Sequence, residues 1–170
     1  IDQFALSARG QRGGVEVAEA APPRLDIAGQ HLAIVRQGMF NVSNRRGATA
    51  YRSRIDNPDW HMAGKTGTSQ VRNITAEERR QGVTRNEDLP WERRDHALFV
   101  GFAPADAPKY AVSVVVEHGG GGSRAAAPIA RDIILRALNG DVPPLDSYPR
   151  TQRREIQRML DGLELRTPQT

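Results

Sequence analysis

The sequence predicts an α+β domain, an antiparallel sheet flanked by helices. Three observations predict it. Two stretches, 27–44 and 123–138, carry apolar residues at helical spacing. Two others, 96–103 and 109–117, read as strands joined by a link that suits a hairpin and is too short for a crossover. A third extended stretch, 61–72, precedes them across a long charged connection, 73–94.

Taken in order, residues 1–6 read as a short strand, 7–14 as a glycine-bearing turn, and 15–23 as a connector ending in Ala20-Ala21-Pro22-Pro23. Asp26 is placed to cap a helix over 27–44, because its carboxylate can accept a first-turn N–H. Leu32, Val35, Met39 and Val42 form its expected core stripe, and Gly47 suits its end. Residues 51–60 are a polar link turning at Asn57-Pro58. The 73–94 connection has no clean period; Ala76-Glu77-Glu78-Arg79-Arg80 suits one or two helical turns. A link of that length in a compact domain marks a mobile or functional surface.

The stretch 96–103 is nearly all apolar, which predicts cover on both faces. Pro104 to Pro108 form a turn in which Asp106 can bond the local backbone. Val112, Val114 and Val116 share one face of the next strand. Gly119-Gly120-Gly121-Gly122 is a loop, with Ser123 as expected cap of a helix buried through Ile129, Ile133, Ile134, Ala137 and Leu138. Pro128 fits its first turn, and Asn139-Gly140 ends it. Residues 150–163 suit an arginine-rich amphipathic helix through Ile156, Met159, Leu160 and Leu163.

Composition narrows the class. Of 170 residues, 38% are hydrophobic, enough for a packed core. The net charge of +4 comes from 24 basic and 20 acidic residues, and Lys65 and Lys109 are the only lysines. Aromatics are 5% and scattered, with no basic stripe, so nucleic acid is not an expected partner. The absence of cysteine excludes disulfides and thiolate metal sites. No run of about 20 apolar residues is present. The chain opens on Ile1 without a signal-like stretch, which reads as a piece of something longer whose anchor lies upstream.

The chemistry concentrates at Ala63-Gly64-Lys65-Thr66-Gly67-Thr68-Ser69-Gln70. A phosphate-binding loop would need glycine at position 59, where Asp59 places a negative charge in the cradle. A nucleophile elbow at Gly121-Gly122-Ser123 would need glycine at Ala125 and a histidine downstream, and none follows His118. The lysine–threonine–glycine element of penicillin-recognising serine enzymes fits better. Such a lysine sets a cation beside a substrate carboxylate and a catalytic serine. The hydroxyls hydrogen-bond that carboxylate, glycine lets substrate lie against the backbone, and a following N–H can meet a developing oxyanion. An exposed strand with turn-like glycines also accounts for the tetrad taken alone. His96 and His118 are expected near each other at one sheet end as structural histidines, since a pair lacks a third zinc ligand. Arg94 and Asp95 are expected to form a local ion pair.

Further residues extend the match. Gln37-Gly38-Met39 and Gly47-Ala48-Thr49-Ala50 precede the strand. Val71, then Arg94-Asp95-His96-Ala97-Leu98-Phe99, Phe102-Ala103-Pro104, Val116-Glu117-His118-Gly119-Gly120 and Ala126-Ala127-Pro128-Ile129-Ala130 follow it. In order and spacing these resemble the C-terminal part of the transpeptidase domain of class B penicillin-binding proteins, nearest their elongation-specific branch. The resemblance divides the chain into an ill-defined 1–24 segment, a transpeptidase part over 25–140, and a proline- and arginine-rich tail, 141–170.

The resemblance implies a serine β-lactamase-like fold whose edge strand begins near His61. It implies acyl transfer: a serine attacks the penultimate D-Ala carbonyl of a peptidoglycan stem peptide, D-Ala leaves, and a neighbouring amine takes the acyl group. It implies Lys65 and the Thr68 N–H as catalytic groups, and Thr66, Gly67 and Thr68 as substrate-binding. No cofactor or metal is implied. The partners implied are D-Ala-D-Ala stem peptides, β-lactams, the remainder of the enzyme and the cell-elongation machinery, at the periplasmic face of the inner membrane. One departure is plain. A Ser-x-x-Lys would need serine where Met62 and Asp106 stand, and no Ser-x-Asn occurs. The nucleophile is therefore expected upstream of Ile1 and the isolated chain inactive. The competing expectation is a binding module whose arginine-rich C-terminal helix takes an acidic partner or lipid head groups.

Overall fold

Three strands carry the architecture, in a computed structural model that describes residues 26–162. They are β1 (Ala63–Ser69), β2 (His96–Ala103) and β3 (Tyr110–Val116), antiparallel throughout, in the order β1-β2-β3. Lys65 stands opposite Val100 and Thr68 opposite Ala97; Phe99 stands opposite Val114. β1 holds two glycines in 7 residues and has little strand propensity of its own. Pairing with the apolar β2 supplies what its composition lacks. The readings of residues 1–23, and Leu163, lie outside the described residues.

Alternation sorts the sheet into two faces. Ala97, Phe99 and Ala103 of β2 are fully buried, and Val112, Val114 and Val116 of β3 pack against the same core. The opposite face is open: Val100 is 47% and Val115 57% exposed. Cover of β2 on both faces, expected from its apolar run, is therefore not seen among the described residues.

The core is closed by α3 (Ala126–Asn139), which packs on β2 and β3. Its buried side is Ala126, Ala127, Ala130, Arg131, Ile134 and Leu135, and the three alanines let the helix approach the sheet. Ile129 and Ile133, expected inside, face outward at the edge of this stripe. Ser123 does not cap the helix. The carbonyls of Gly121 and Gly122 receive the backbone N–H groups of residues 124–127 instead. Gly140 ends the helix at φ +74°, as a left-handed C-terminal residue should.

The first helix, α1 (Gly29–Asn44), begins two residues later than expected, and Asp26 does not cap it. It packs along β1, and Asn44 Nδ2 donates to the Met62 carbonyl at 2.9 Å. Of its expected core stripe only Val42 packs against the core; Leu32 and Val35 are exposed. Arg36 ties α1 to the β2–β3 turn, donating to the Ala105 and Asp106 carbonyls at 2.9 and 3.3 Å. Asp106 Oδ1 accepts from the Ala107 N–H within that turn.

The charged connection contains α2 (Ala76–Gln81), whose Thr75 hydroxyl accepts the Glu78 N–H. Beyond α3 the chain returns to the domain. The Ser147 carbonyl accepts from the Asp56 N–H at 2.8 Å, and Tyr148 and Ile156 enter the core. The last helix, α4 (Arg153–Asp161), is shorter than the 150–163 expected and buries Ile156. Arg131 of α3 is only 2% exposed. It bonds Asp132 and Gln152 at 2.9 and 2.8 Å, and its guanidinium lies 4.8 Å from the Tyr148 ring centre. Burial then pushes the Tyr148 phenol up, with Asp132 adding to the rise and Arg131 opposing it.

Candidate active site

β1 is an edge strand: among the described residues it pairs with β2 alone. Its first residues are locked in. A methyl group on Gly64 would stand 2.2 Å from Cζ of Phe99 and 2.8 Å from the Val100 carbonyl. Past that point the strand emerges. Lys65 and Thr68 are exposed, and Thr66 and Gly67 half-buried. Strand alternation alone sets Lys65 and Gly67 toward one face and Thr66 and Thr68 toward the other. The structure thus presents Lys65, Thr66, Gly67 and Thr68 together along one open edge.

Lys65 Nζ donates to the Thr66 carbonyl at 2.7 Å, and among the described residues no carboxylate pairs with it. Its charge therefore remains available to an anionic ligand. The Thr66 hydroxyl bonds the Thr49 hydroxyl at 3.3 Å. Gly67 has a milder packing reason than Gly64: an added Cβ would meet Leu98 Cβ at 3.2 Å. A side chain there would chiefly cover the strand's exposed surface.

The glycine loop lies directly beneath this edge. A Cβ on Gly122 would stand 2.2 Å from the Leu98 carbonyl oxygen, 2.5 Å from that of Gly67 and 3.1 Å from the Gly67 nitrogen. Only glycine fits there. The neighbouring turn uses two left-handed residues, His118 at φ +53° and Gly120 at φ +78°. His118 is held in that conformation through its N–H, which donates to His96 Nδ1 at 2.9 Å.

The two histidines do meet, with ring centres 4.7 Å apart. His118 Nδ1 donates to the Arg94 carbonyl at 2.9 Å, and Trp91 lies against its ring at 4.3 Å. One nitrogen of each imidazole is thus spent on backbone, which makes them a structural joint. Among the described residues no group of three His, Cys, Asp or Glu could hold a metal ion.

The 73–94 connection is docked on this joint. Asn86 clamps Asp95 from both sides: Nδ2 donates to Asp95 Oδ2 at 2.9 Å, and Oδ1 accepts the Asp95 N–H at 2.8 Å. The expected Arg94–Asp95 ion pair does not form; Arg94 bonds the Leu89 and Glu87 carbonyls instead. The root of the loop is tied by Arg72, which holds both oxygens of Glu78 at 2.6 Å. Those bonds, with a further one from the Thr84 N–H, hold the Glu78 carboxyl at about 2 against the cost of its partial burial. A hollow of about 340 Å³ opens between the loop and the glycines, lined by Asn86, Arg94, His118, Gly121 and Arg124.

Three residues of the site carry no signal of their role in the sequence: Thr49, Asn86 and Gly122. Thr49 and Thr66 lie 17 positions apart with no motif linking them. Gly122 belongs to a conspicuous glycine run, yet which glycine touches β1 is a matter of packing.

A family model described as the penicillin binding protein transpeptidase domain matches residues 5–135. The chain is similar to the peptidoglycan D,D-transpeptidase MrdA of Haemophilus influenzae, 35% identical over 123 residues, covering 71% of this chain and 18% of that protein. It is similar to MrdA of Acinetobacter baumannii, 47% identical over 94 residues, covering 53% of this chain and 13% of that protein. Among solved structures, Pseudomonas aeruginosa PBP2 in complex with WCK 5153 superposes with a TM-score of 0.51 at 32% identity, covering 74% of this chain and 23% of that one. The chain thus spans less than a fifth of the length of the curated relatives it matches.

Proposed function

The chain belongs to the penicillin-binding protein transpeptidase family, and from that premise we propose that it is one wall of the acyl-transfer cleft of a peptidoglycan D,D-transpeptidase of the PBP2 type. The observation that carries the proposal is β1: an edge strand presenting Lys65, Thr66, Gly67 and Thr68 with no strand paired to its outer side among the described residues. An extended peptide can add to such an edge by main-chain hydrogen bonds. A D-Ala-D-Ala terminus, or a β-lactam that mimics it, is a short extended ligand ending in a carboxylate.

Each residue then has a role. Lys65, paired with no carboxylate among the described residues, supplies positive potential for the substrate carboxylate and orients the serine network. The Thr66 and Thr68 hydroxyls donate to the carboxylate. Thr49 can reverse its bond and donate to Thr66, freeing the Thr66 proton for substrate. Gly67 keeps the strand surface bare. The Thr68 N–H meets the oxyanion of the tetrahedral intermediate, a contact whose loss costs about 10²–10³ in rate. The serine oxygen bonds to the penultimate D-Ala carbonyl carbon, the peptide C–N bond breaks, and the terminal D-Ala leaves with a proton. A second strand's amine then displaces the serine.

The serine is not in this chain, which has no Ser-x-x-Lys. We infer that these 170 residues, which span 18% of the length of a curated MrdA relative, are inactive alone and work with the rest of such an enzyme, at the periplasmic face of the inner membrane and within the elongation machinery. No helix among the described residues is long and apolar enough to cross a membrane.

The test uses Lys65→Ala in the full-length enzyme carrying this segment. Acylation by fluorescent penicillin should fall by about 10² or more, while thermal stability changes little, since Lys65 is exposed. Equal acylation rates in variant and parent would sink the assignment. Covalent labelling of the isolated chain would refute its inactivity.

A further inference from the structure

We propose that Gly122 is a positioning residue for the Gly67–Thr68 peptide, held against it by Asn86 acting through Asp95 and Gly120. The inference rests on the reading of Thr68 as an oxyanion donor and adds what aims that donor.

The geometry runs through five residues. Asn86 bonds both the side chain and the backbone N–H of Asp95. The Asp95 carbonyl accepts the Gly120 N–H at 2.8 Å. Two residues on, Gly122 lies so close to β1 and β2 that a methyl group would overlap the carbonyl oxygens of Gly67 and Leu98. Gly67 and Leu98 are directly paired across the sheet. The flanking bonds act in the same sense. His118 is pinned to His96 and Arg94 on one side of Gly120, and Gly121 and Gly122 accept the N–H groups that open α3 on the other. The loop is therefore fixed at both ends, and Gly122 cannot retreat.

The consequence follows from the peptide bond. The carbonyl of Gly67 and the N–H of Thr68 belong to one planar unit. Pressure on the Gly67 oxygen tilts the Thr68 N–H with it. An edge strand has a neighbour on one side only, so its outward N–H groups are held less firmly than those of a central strand. Gly122 supplies support from below that β1 lacks at its outer edge. An oxyanion donor acts through its fixed orientation, because a donor that must turn during reaction loses most of its advantage. The docked 73–94 connection thereby contributes to the site, since Asn86 locks the segment from which the glycine loop is hung.

The experiment is performed on the full-length enzyme carrying this segment, with fluorescent penicillin as probe. It reads the limiting acylation rate constant, the half-saturating concentration and the final labelled fraction. Gly122→Ala should lower the rate constant by about 10²-fold with half-saturation changed by less than about threefold, as for an interaction felt mainly in the transition state. Asn86→Asp sets two carboxylates against each other and should lower the rate constant by about tenfold. Adding Asp95→Asn restores a donor–acceptor pair in reverse and should recover the parental rate to within about twofold.

If Gly122→Ala fails to fold, the Asn86 and Asp95 exchange decides the matter alone. A lowered labelled fraction at an unchanged rate constant, or no recovery in the exchanged pair, would show a merely structural contact and overturn the proposal. A labelled parent whose variants acylate at the parental rate overturns the positioning role only. A parent that takes no label overturns the transpeptidase reading, and the positioning role with it.

Discussion

Replacing Gly64 with alanine should strain and destabilise the sheet at the base of the site. The added methyl would lie 2.2 Å from Cζ and 2.8 Å from Cε1 of Phe99, and 2.8 Å from the Val100 carbonyl oxygen. Carbon atoms settle at about 3.5–4 Å, so the ring must withdraw by more than about 1 Å. Phe99 is fully buried and has nowhere to go. Forcing one methyl into such a core costs about 1–3 kcal/mol, against which alanine regains about 0.5–1 kcal/mol of backbone entropy. With backbone on one side and a trapped ring on the other, the upper part of that range applies, for a net loss of about 2 kcal/mol.

Urea unfolding followed by fluorescence of Trp60, which packs against the core, should show a midpoint lowered by about 1 M. Phe99→Leu removes the obstructing ring and alone costs about 1–2 kcal/mol. Combined with Gly64→Ala it should cost about 1 kcal/mol less than the sum, because the methyl then fills vacated space. Strict additivity, or a Gly64→Ala variant within about 0.5 kcal/mol of the parent, would refute the claim that Phe99 dictates glycine at this position.

Other outcomes follow from the same contacts. Because the Glu78 carboxyl is held at about 2, below the ordinary 4.5, its contribution is complete above about 4.5 and is lost as the pH falls toward 2. Protection of the Thr84 N–H against hydrogen exchange should fall across that window, and Glu78→Gln should reproduce the loss at neutral pH. Arg131→Ala should lower stability by about 2–3 kcal/mol, since it removes a buried guanidinium from over Tyr148 and leaves Asp132 and Gln152 without its bonds. Its signature is a concomitant loosening of the 144–156 segment in hydrogen exchange; intact protection there would count against the joint.

Local signals carry well in the sequence. The β2–β3 hairpin, the helical turn at 76–81 and the Gly140 stop each depend on residues within a few positions, and each stands where composition places it. Signals that need a neighbour carry badly. The apolar stripe of α1 suggests core contacts, yet Val35 is 56% exposed, because periodicity marks a greasy face without saying what meets it. The stripe of α3 is rotated from its expected place for a related reason. Its alanines reach the sheet and its outer isoleucines do not, a choice set by how closely helix and strands approach. Ser123 has the chemistry of a cap, but the glycine-loop carbonyls already occupy that place.

The site divides along the same line. The tetrad at residues 65–68 is legible because its chemistry is written in consecutive residue types, although the strand that presents them forms by pairing with β2. What the sequence by itself determined was the family and the edge strand that carries its lysine, threonines and glycine. What only the tertiary structure decided was what stands behind that strand. Thr49 meets Thr66, Phe99 excludes any side chain at Gly64, and Gly122 lies under Gly67 at the end of a clamp begun by Asn86. Those contacts join positions far apart in the chain through close packing and planar peptides, and no spacing rule along a sequence encodes a distance across a sheet.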